Sequence, residues 1–177
     1  MATTTFSYTL DSGENNASNF TRQYILEITE GEIIPSTAQI NNVTFEINIR
    51  VINNFNDYMY VHYRPNSSAP SNTVKDGKNN ITAECPILAS SSDAITNTTS
   101  NWITATFTAI MDPSFWYLIR DTTTLPICVS RQKNKSATNF SLKAPLSWTC
   151  TVNWEDNRKK PNYPSGLALS TYTAAIS

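Results

Sequence analysis

Charge is what this chain has least of. Lys and Arg number 13 and Asp and Glu 14, together 15% of 177 residues, well under the usual quarter. A net charge of −1 provides no field to draw in nucleic acid or an anionic membrane, and neither is expected as a partner. The polar surface must therefore be built from Asn, Ser and Thr, which hydrogen-bond but steer little. Glycine is scarce as well, with four residues, so Asn, Asp, Ser and Pro must make most of the turns. No apolar run approaches the roughly 18 residues that span a bilayer. A convincing helical stripe is missing throughout; Asp93–Thr99 offers one helical turn at most.

Residues that carry chemistry are equally sparse. The single histidine, His62, lies inside the segment Tyr58–Arg64. Any Ser-His-Asp or Cys-His arrangement would have to use it; a histidine bonded to a neighbour on a strand face is the reading adopted. Cys85, Cys128 and Cys150 are odd in number and form no C-x-x-C pair, which argues against a disulfide framework and a zinc knuckle. All three are expected to be reduced and buried, with a Cys128–Cys150 bridge as the alternative. Asp112, Asp121, Glu155 and Asp156 are available to a paired-carboxylate hydrolase, but most sit in turn contexts such as Met111–Ser114, where Asp initiates the turn. Neither a glycine-rich phosphate loop nor a calcium loop is present. The chain reads as non-enzymatic: no catalytic residue, no metal ligand and no cofactor is assigned, and the binding residues stay open.

What is present is strand. Val43, Phe45, Ile47, Ile49 and Val51 alternate with Thr44, Glu46, Asn48 and Arg50, a period of two that marks a strand with one buried face. Leu146, Trp148, Cys150, Val152 and Trp154 do the same against Ser147, Thr149, Thr151, Asn153 and Glu155. Phe45, Ile47, Ile49, Trp148, Cys150 and Val152 are thus expected in the core. Weaker strands are expected at Phe6–Leu10, Arg22–Thr29, Tyr58–Arg64, Trp102–Ile110, Phe115–Arg120, Pro126–Arg131, Thr138–Lys143 and Leu167–Thr173, each rich in β-branched or aromatic residues. Turn-forming clusters separate them at Asp11–Ser18, Pro65–Asn80, Ser90–Ser100, Gln132–Ser136 and Glu155–Pro164. Eight to ten strands in this length predict one all-β domain over residues 1–177, an antiparallel two-sheet sandwich of jelly-roll type.

Residues 1–5 are expected to be a flexible arm, because a threonine run near a terminus has nothing to bury. The start, Met-Ala-Thr-Thr-Thr-Phe, lacks the basic and apolar regions of a secretory leader. The chain is accordingly expected to fold in the cytoplasm that makes it, although a chain whose leader had been removed would read the same.

Three surface features admit two readings each. Trp102, Trp116, Trp148 and Trp154 with eight Tyr could form a sugar-stacking platform, yet Trp148 and Trp154 share an apolar strand face, which favours a core role. The basic clusters Arg131/Lys133/Lys135 and Arg158/Lys159/Lys160 could touch phosphate, but read better as solvated loops. Sequons begin at Asn16, Asn19, Asn42, Asn66, Asn80, Asn97, Asn134 and Asn139. A glycoprotein would use them; a chain this rich in Asn, Ser and Thr also generates them by chance.

One resemblance bears on function. The stretch from Ile34 through Pro35, Ser36, Thr37, Ala38, Gln39 and Ile40 to Ile47 resembles a phrase of tailed-phage virion structural proteins, in which I-P-S-G-A-T-I leads into an alternating strand. Tyr24–Ile28 would be the strand that precedes it, Asp112–Ile119 resembles the later D-P-x-F stretch that leads into a strand, and Leu146–Trp154 matches a final alternating strand. Thr37 and Asn42 stand where the usual glycines would be, and Trp116 replaces a third. Related phrases occur in carbohydrate-binding and adhesin sandwich modules. The resemblance implies a virion protein of decoration, fibre-base or tail-accessory type, made in the host cytoplasm and binding a capsid or tail lattice through sheet edges and loops. Its partners would be other virion proteins and further copies of itself, with a host-surface glycan in addition. The alternative is a carbohydrate-binding β-sandwich module. The family implies no catalytic residues.

Overall fold

The computed structural model describes residues 1–12, 14–15, 23–51, 55–65, 85–131 and 142–156. Its strands are β1 (Ala2–Leu10), β2 (Glu14–Asn15), β3 (Tyr24–Glu30), β4 (Gln39–Val51), β5 (Phe55–Asp57), β6 (Met59–Tyr63), β7 (Ile87–Ser91), β8 (Ile95–Asn97), β9 (Ile103–Met111), β10 (Thr124–Arg131), β11 (Leu142–Lys143) and β12 (Leu146–Glu155). The fold is all-β, and every ladder in it is antiparallel.

Eight of these strands follow one another by hydrogen bonding in the order β12, β1, β3, β10, β6, β7, β9 and β4, and β4 pairs back to β12. The ladder therefore closes into a ring, which corrects the expectation of two separate sheets. Closure leaves these eight strands without a free edge, which corrects the expectation that their edges dock onto a lattice. Counted along the chain, the first ring strand pairs with the last (β1 with β12) and the second with the seventh (β3 with β10). The third pairs with the sixth (β4 with β9) and the fourth with the fifth (β6 with β7).

The two clean alternating segments lie side by side as β4 and β12, with Trp148 opposite Ile47, Cys150 opposite Phe45 and Val152 opposite Val43. All six residues expected in the core are wholly buried. Phe6, Leu26, Met59, Val61, Leu125 and Ile127 close the interior from the other strands. At one end Trp148 packs against Tyr24, ring centroids 3.7 Å apart, with Tyr8 beside both. The alternation of β4 slips at Asn41, where Asn153 faces Asn42 but Trp154 faces Ile40. This bulge lets Ile40 and Val43 both point inward across three steps.

Four other expectations are corrected. The N-terminal arm is a strand: Ala2–Leu10 pairs with β12 along its whole length and with β3 from Thr5 to Ser7. The threonine run has something to bury, since Thr4 is fully enclosed, accepts a hydrogen bond from Trp154 Nε1 at 3.0 Å and donates to Glu32 O at 2.6 Å. Phe115–Arg120 is not a strand but most of the 3-10 helix Pro113–Ile119. Asp112 caps it, its Oδ1 accepting from Ser114 N at 2.9 Å, and Pro113 supplies the fixed φ of a first helical position. Ser90–Ser100 is not mere turn, because β7 ends in it and β8 lies within it. Asp93–Thr99 accordingly carries strand and no helical turn. Leu167–Thr173, most of Pro65–Asn80 and Thr138–Lys143, and the basic clusters apart from Arg131 at the end of β10 lie outside the described residues.

Candidate functional site

Of the residues singled out for catalysis, the structure brings His62 together with Cys85 and Cys128, in a buried cluster. His62 sits on β6 facing away from Met59 and Val61, which line the core, yet is only 2% exposed. Its Nδ1 bonds Cys85 O at 3.2 Å, and burial lowers its pKa from 6.5 to about 4, so the ring is neutral at pH 7. Cys128 faces it across the β6–β10 ladder. All three cysteines are free and buried, with no Cys128–Cys150 bridge. Burial pushes the Cys128 thiol up to about 12 and the Cys150 thiol higher still, which removes the thiolate that a nucleophile needs.

Two of the four candidate carboxylates, Asp112 and Asp121, serve structure. Asp112 caps the 3-10 helix, and its two bonds from Ser114 hold its carboxyl below the usual range. Asp121 Oδ1 accepts from Ser36 N at 3.0 Å, while Arg120 donates to Ser36 O at 2.8 Å and Ala38 O at 3.0 Å. Arg120 and Asp121 together clamp the turn Pro35–Ala38, closed by Ala38 N to Pro35 O at 2.9 Å. The start of Ile34–Ile47 is thus tied to the two residues that follow Asp112–Ile119.

The aromatic platform dissolves. Trp148 and Trp154 are core, Trp102 and Trp116 are half-buried, and the well-exposed aromatics among the described residues are Tyr58 and Tyr117. Of the described sequons, Asn42 is exposed. Asn97 is 3% exposed, its Oδ1 accepting from Thr99 N and Thr99 Oγ1.

One surface was not singled out from sequence, although its residues were legible as the polar positions of alternating strands. The outward residues of β1, β12, β4 and β9 form continuous cross-strand rows. One runs Thr5, Thr151, Thr44, Ile110; the next Ser7, Thr149, Glu46, Thr108; a third Thr9, Ser147, Asn48, Thr106. Thr3, Asn153 and Asn42 extend the face at one end, Arg50 and Thr104 at the other. The side chains bond to one another: Thr3 to Asn153 at 3.0 Å, Thr44 to Asn42 at 2.8 Å, Asn48 to Ser147 at 2.9 Å, and Thr106 to Asn48. Such a network holds the short polar groups in fixed rotamers and presents both donors and acceptors. Charge is confined to Glu46, Arg50 and, at the rim, Glu155. Ile110 interrupts the polarity at 72% exposure. Beside it a groove of about 620 Å³ runs between Thr44, Thr108 and Ile110 on one side and Leu88, Ser90 and Asp112 on the other.

No known protein family matches the chain, and no curated protein matches it either.

Proposed function

We propose that this protein is a non-enzymatic structural component of a tailed-phage virion, a jelly-roll unit that works by docking its outer faces and loops onto capsid or tail proteins. The observation that carries this reading is the nearly uncharged Asn/Ser/Thr face of β1, β12, β4 and β9. It is laced by side-chain hydrogen bonds, holds both donors and acceptors, and sets up little repulsion between closely packed neighbours. The nested pairing of ring strands, first with last through fourth with fifth, supports the jelly-roll assignment: it is one long antiparallel hairpin wound into a barrel, an architecture used by capsid proteins and lectins alike.

A non-catalytic role agrees with the neutral, enclosed His62 and the protonated, buried thiols. Assembly by many weak contacts gains strength from copy number and needs none of those groups. The carbohydrate-binding alternative rests on the same polar face but loses its two best stacking rings to the core. Purified particles analysed by quantitative mass spectrometry test the proposal. A fixed ratio of this chain to the major capsid or tail protein is expected. Its absence from particles, with selective binding on a glycan array, would favour the alternative.

A further inference from the structure

We infer that the groove beside Ile110 is a binding site for a neutral oligosaccharide, one pyranose of which lies with its C–H face on Ile110 and its rim hydroxyls against Thr44, Ser90, Thr108 and Asp112. The inference goes beyond the assembly role proposed above and stands or falls separately from it. Its basis is one exposed apolar side chain with polar groups set around it. Ile110 is 72% exposed and lines the groove. Thr44 of β4 and Ser90 of β7 stand directly opposite it in the two registers, one on each side. Their side chains therefore flank it at about 5 Å. Thr108 and Asp112 lie two residues before and two residues after it, both exposed and both lining the groove. Extended backbone puts each about 7 Å from it on the same outward side.

Elsewhere on this face the polar groups bond to one another, as Thr3 does to Asn153 and Thr106 to Asn48. Around Ile110 they are left open. The hydroxyls of Ser90 and Thr108 make no side-chain hydrogen bond among the described residues. Asp112 is held at Oδ1 alone, by Ser114 N at 2.9 Å and Ser114 Oγ at 2.8 Å, which fixes the carboxylate and leaves Oδ2 to accept. Thr44 Oγ1 donates to Asn42 and can still accept. A pyranose chair has the matching layout, with C–H groups over a face and hydroxyls around the rim. A lipid chain would leave the polar groups unused, and a bare ion would leave Ile110 unused.

Charge selects among sugars. Asp112 is the one charged side chain among the described residues that line the groove. A sialylated or phosphorylated sugar would set its anion beside that carboxylate, so neutral sugars are favoured. Length follows from the neighbouring surface. A second hollow of about 360 Å³ shares Ser92 and Thr108 with the groove and continues along β9 past Thr106 to Thr104. It gives the next sugar residue a place. The groove is open and its platform is alkyl, so one chain binds weakly, with a dissociation constant on the order of 1 mM. Copies held close together would bind a glycan surface far more tightly.

Nuclear magnetic resonance titration of the isotope-labelled full chain tests this. The neutral probes are cellotriose, maltotriose, mannotriose and galactotriose; sialyllactose is the acidic probe and sorbitol the polyol control. At least one neutral trisaccharide is expected to shift the amides of Ser90, Thr108, Ile110 and Asp112, while sialyllactose and sorbitol leave them in place. Ile110→Asp and Asp112→Asn should each weaken that binding at least about tenfold, by removing the platform and the charged acceptor. Asp112→Asn keeps an Oδ1 for Ser114, and both positions are exposed, so the melting temperature should hold. Thr149→Ala, on the same face but outside the groove, should bind as wild type does. The inference is overturned if no neutral trisaccharide shifts these amides at about 20 mM, well above the expected dissociation constant. Shifts centred elsewhere, an equal response to sorbitol, or binding indifferent to Ile110→Asp overturn it too. A chain fixed on particles that binds none of these sugars sinks this inference alone; a chain that binds through the groove but is absent from particles sinks the virion reading alone.

Discussion

His62 stands on the outer side of β6 yet is almost fully enclosed, and that burial makes stability depend on pH. Its folded pKa is about 4 against 6.5 when exposed. Below pH 6.5 the unfolded chain therefore takes up a proton that the folded chain refuses until about pH 4. Stability contributed at neutral pH is lost across that window, by roughly 3 kcal/mol at its end. Urea titrations should show the midpoint falling from pH 6.5 to pH 4, with the slope reduced in His62→Ala. An unchanged slope in that variant would assign the acid sensitivity elsewhere. Trp148 is the second residue on which much depends. Fully buried and packed on Tyr24 and Tyr8, it should cost about 3–5 kcal/mol when replaced by Ala. A loss below about 1 kcal/mol would mean that this strand face is not the core.

At the level of elements, the N-terminal strand decides whether the ring closes. Gly31 follows β3 with φ +83°, and a Cβ there would lie 2.2 Å from Thr3 O and 2.9 Å from Thr4 Cα, both backbone. Gly31→Ala should therefore destabilise by more than about 1 kcal/mol, combining a left-handed backbone with a clash on β1. Thr4→Val keeps the shape but strands Trp154 Nε1 and Glu32 O, at a cost of about 1–3 kcal/mol. Thermal melts of both variants check this; melting temperatures equal to wild type would restore the picture of a loose arm. Strands that bury one face were legible because their residues alternate, as β4 and β12 do. The start of β1 is not legible in sequence because Thr3, Thr4 and Thr5 look alike, and nothing local says that Thr4 will find Trp154, which is 150 residues away. Strand β7 was missed because Leu88, Ala89 and Ser91 are all buried, which erases the period of two. Its Ser91 replaces a ladder bond, Oγ accepting from Met59 N at 3.0 Å. The Phe115–Arg120 stretch has strand composition, and the cap of Asp112 with Pro113 overrode it. The polar face escaped notice for a related reason: each of its strands was legible alone, but the rows exist only once the register is set.

For the whole molecule, the account makes function a matter of surface and copy number. The closed ring leaves its eight strands no edge to lend to a partner, which on the proposed reading puts their contacts on outer faces and loops. The nearly neutral face of β1, β12, β4 and β9 is the broadest such surface among the described residues. The most direct measurement of the central claim is the stoichiometry of this chain in purified particles, determined by quantitative mass spectrometry alongside the major capsid and tail proteins. The account predicts a fixed integer ratio that persists through density-gradient purification and is unchanged in His62→Ala. Particles devoid of the chain, or a soluble monomer that turns over a small-molecule substrate and stops doing so in folded His62→Ala, would contradict it.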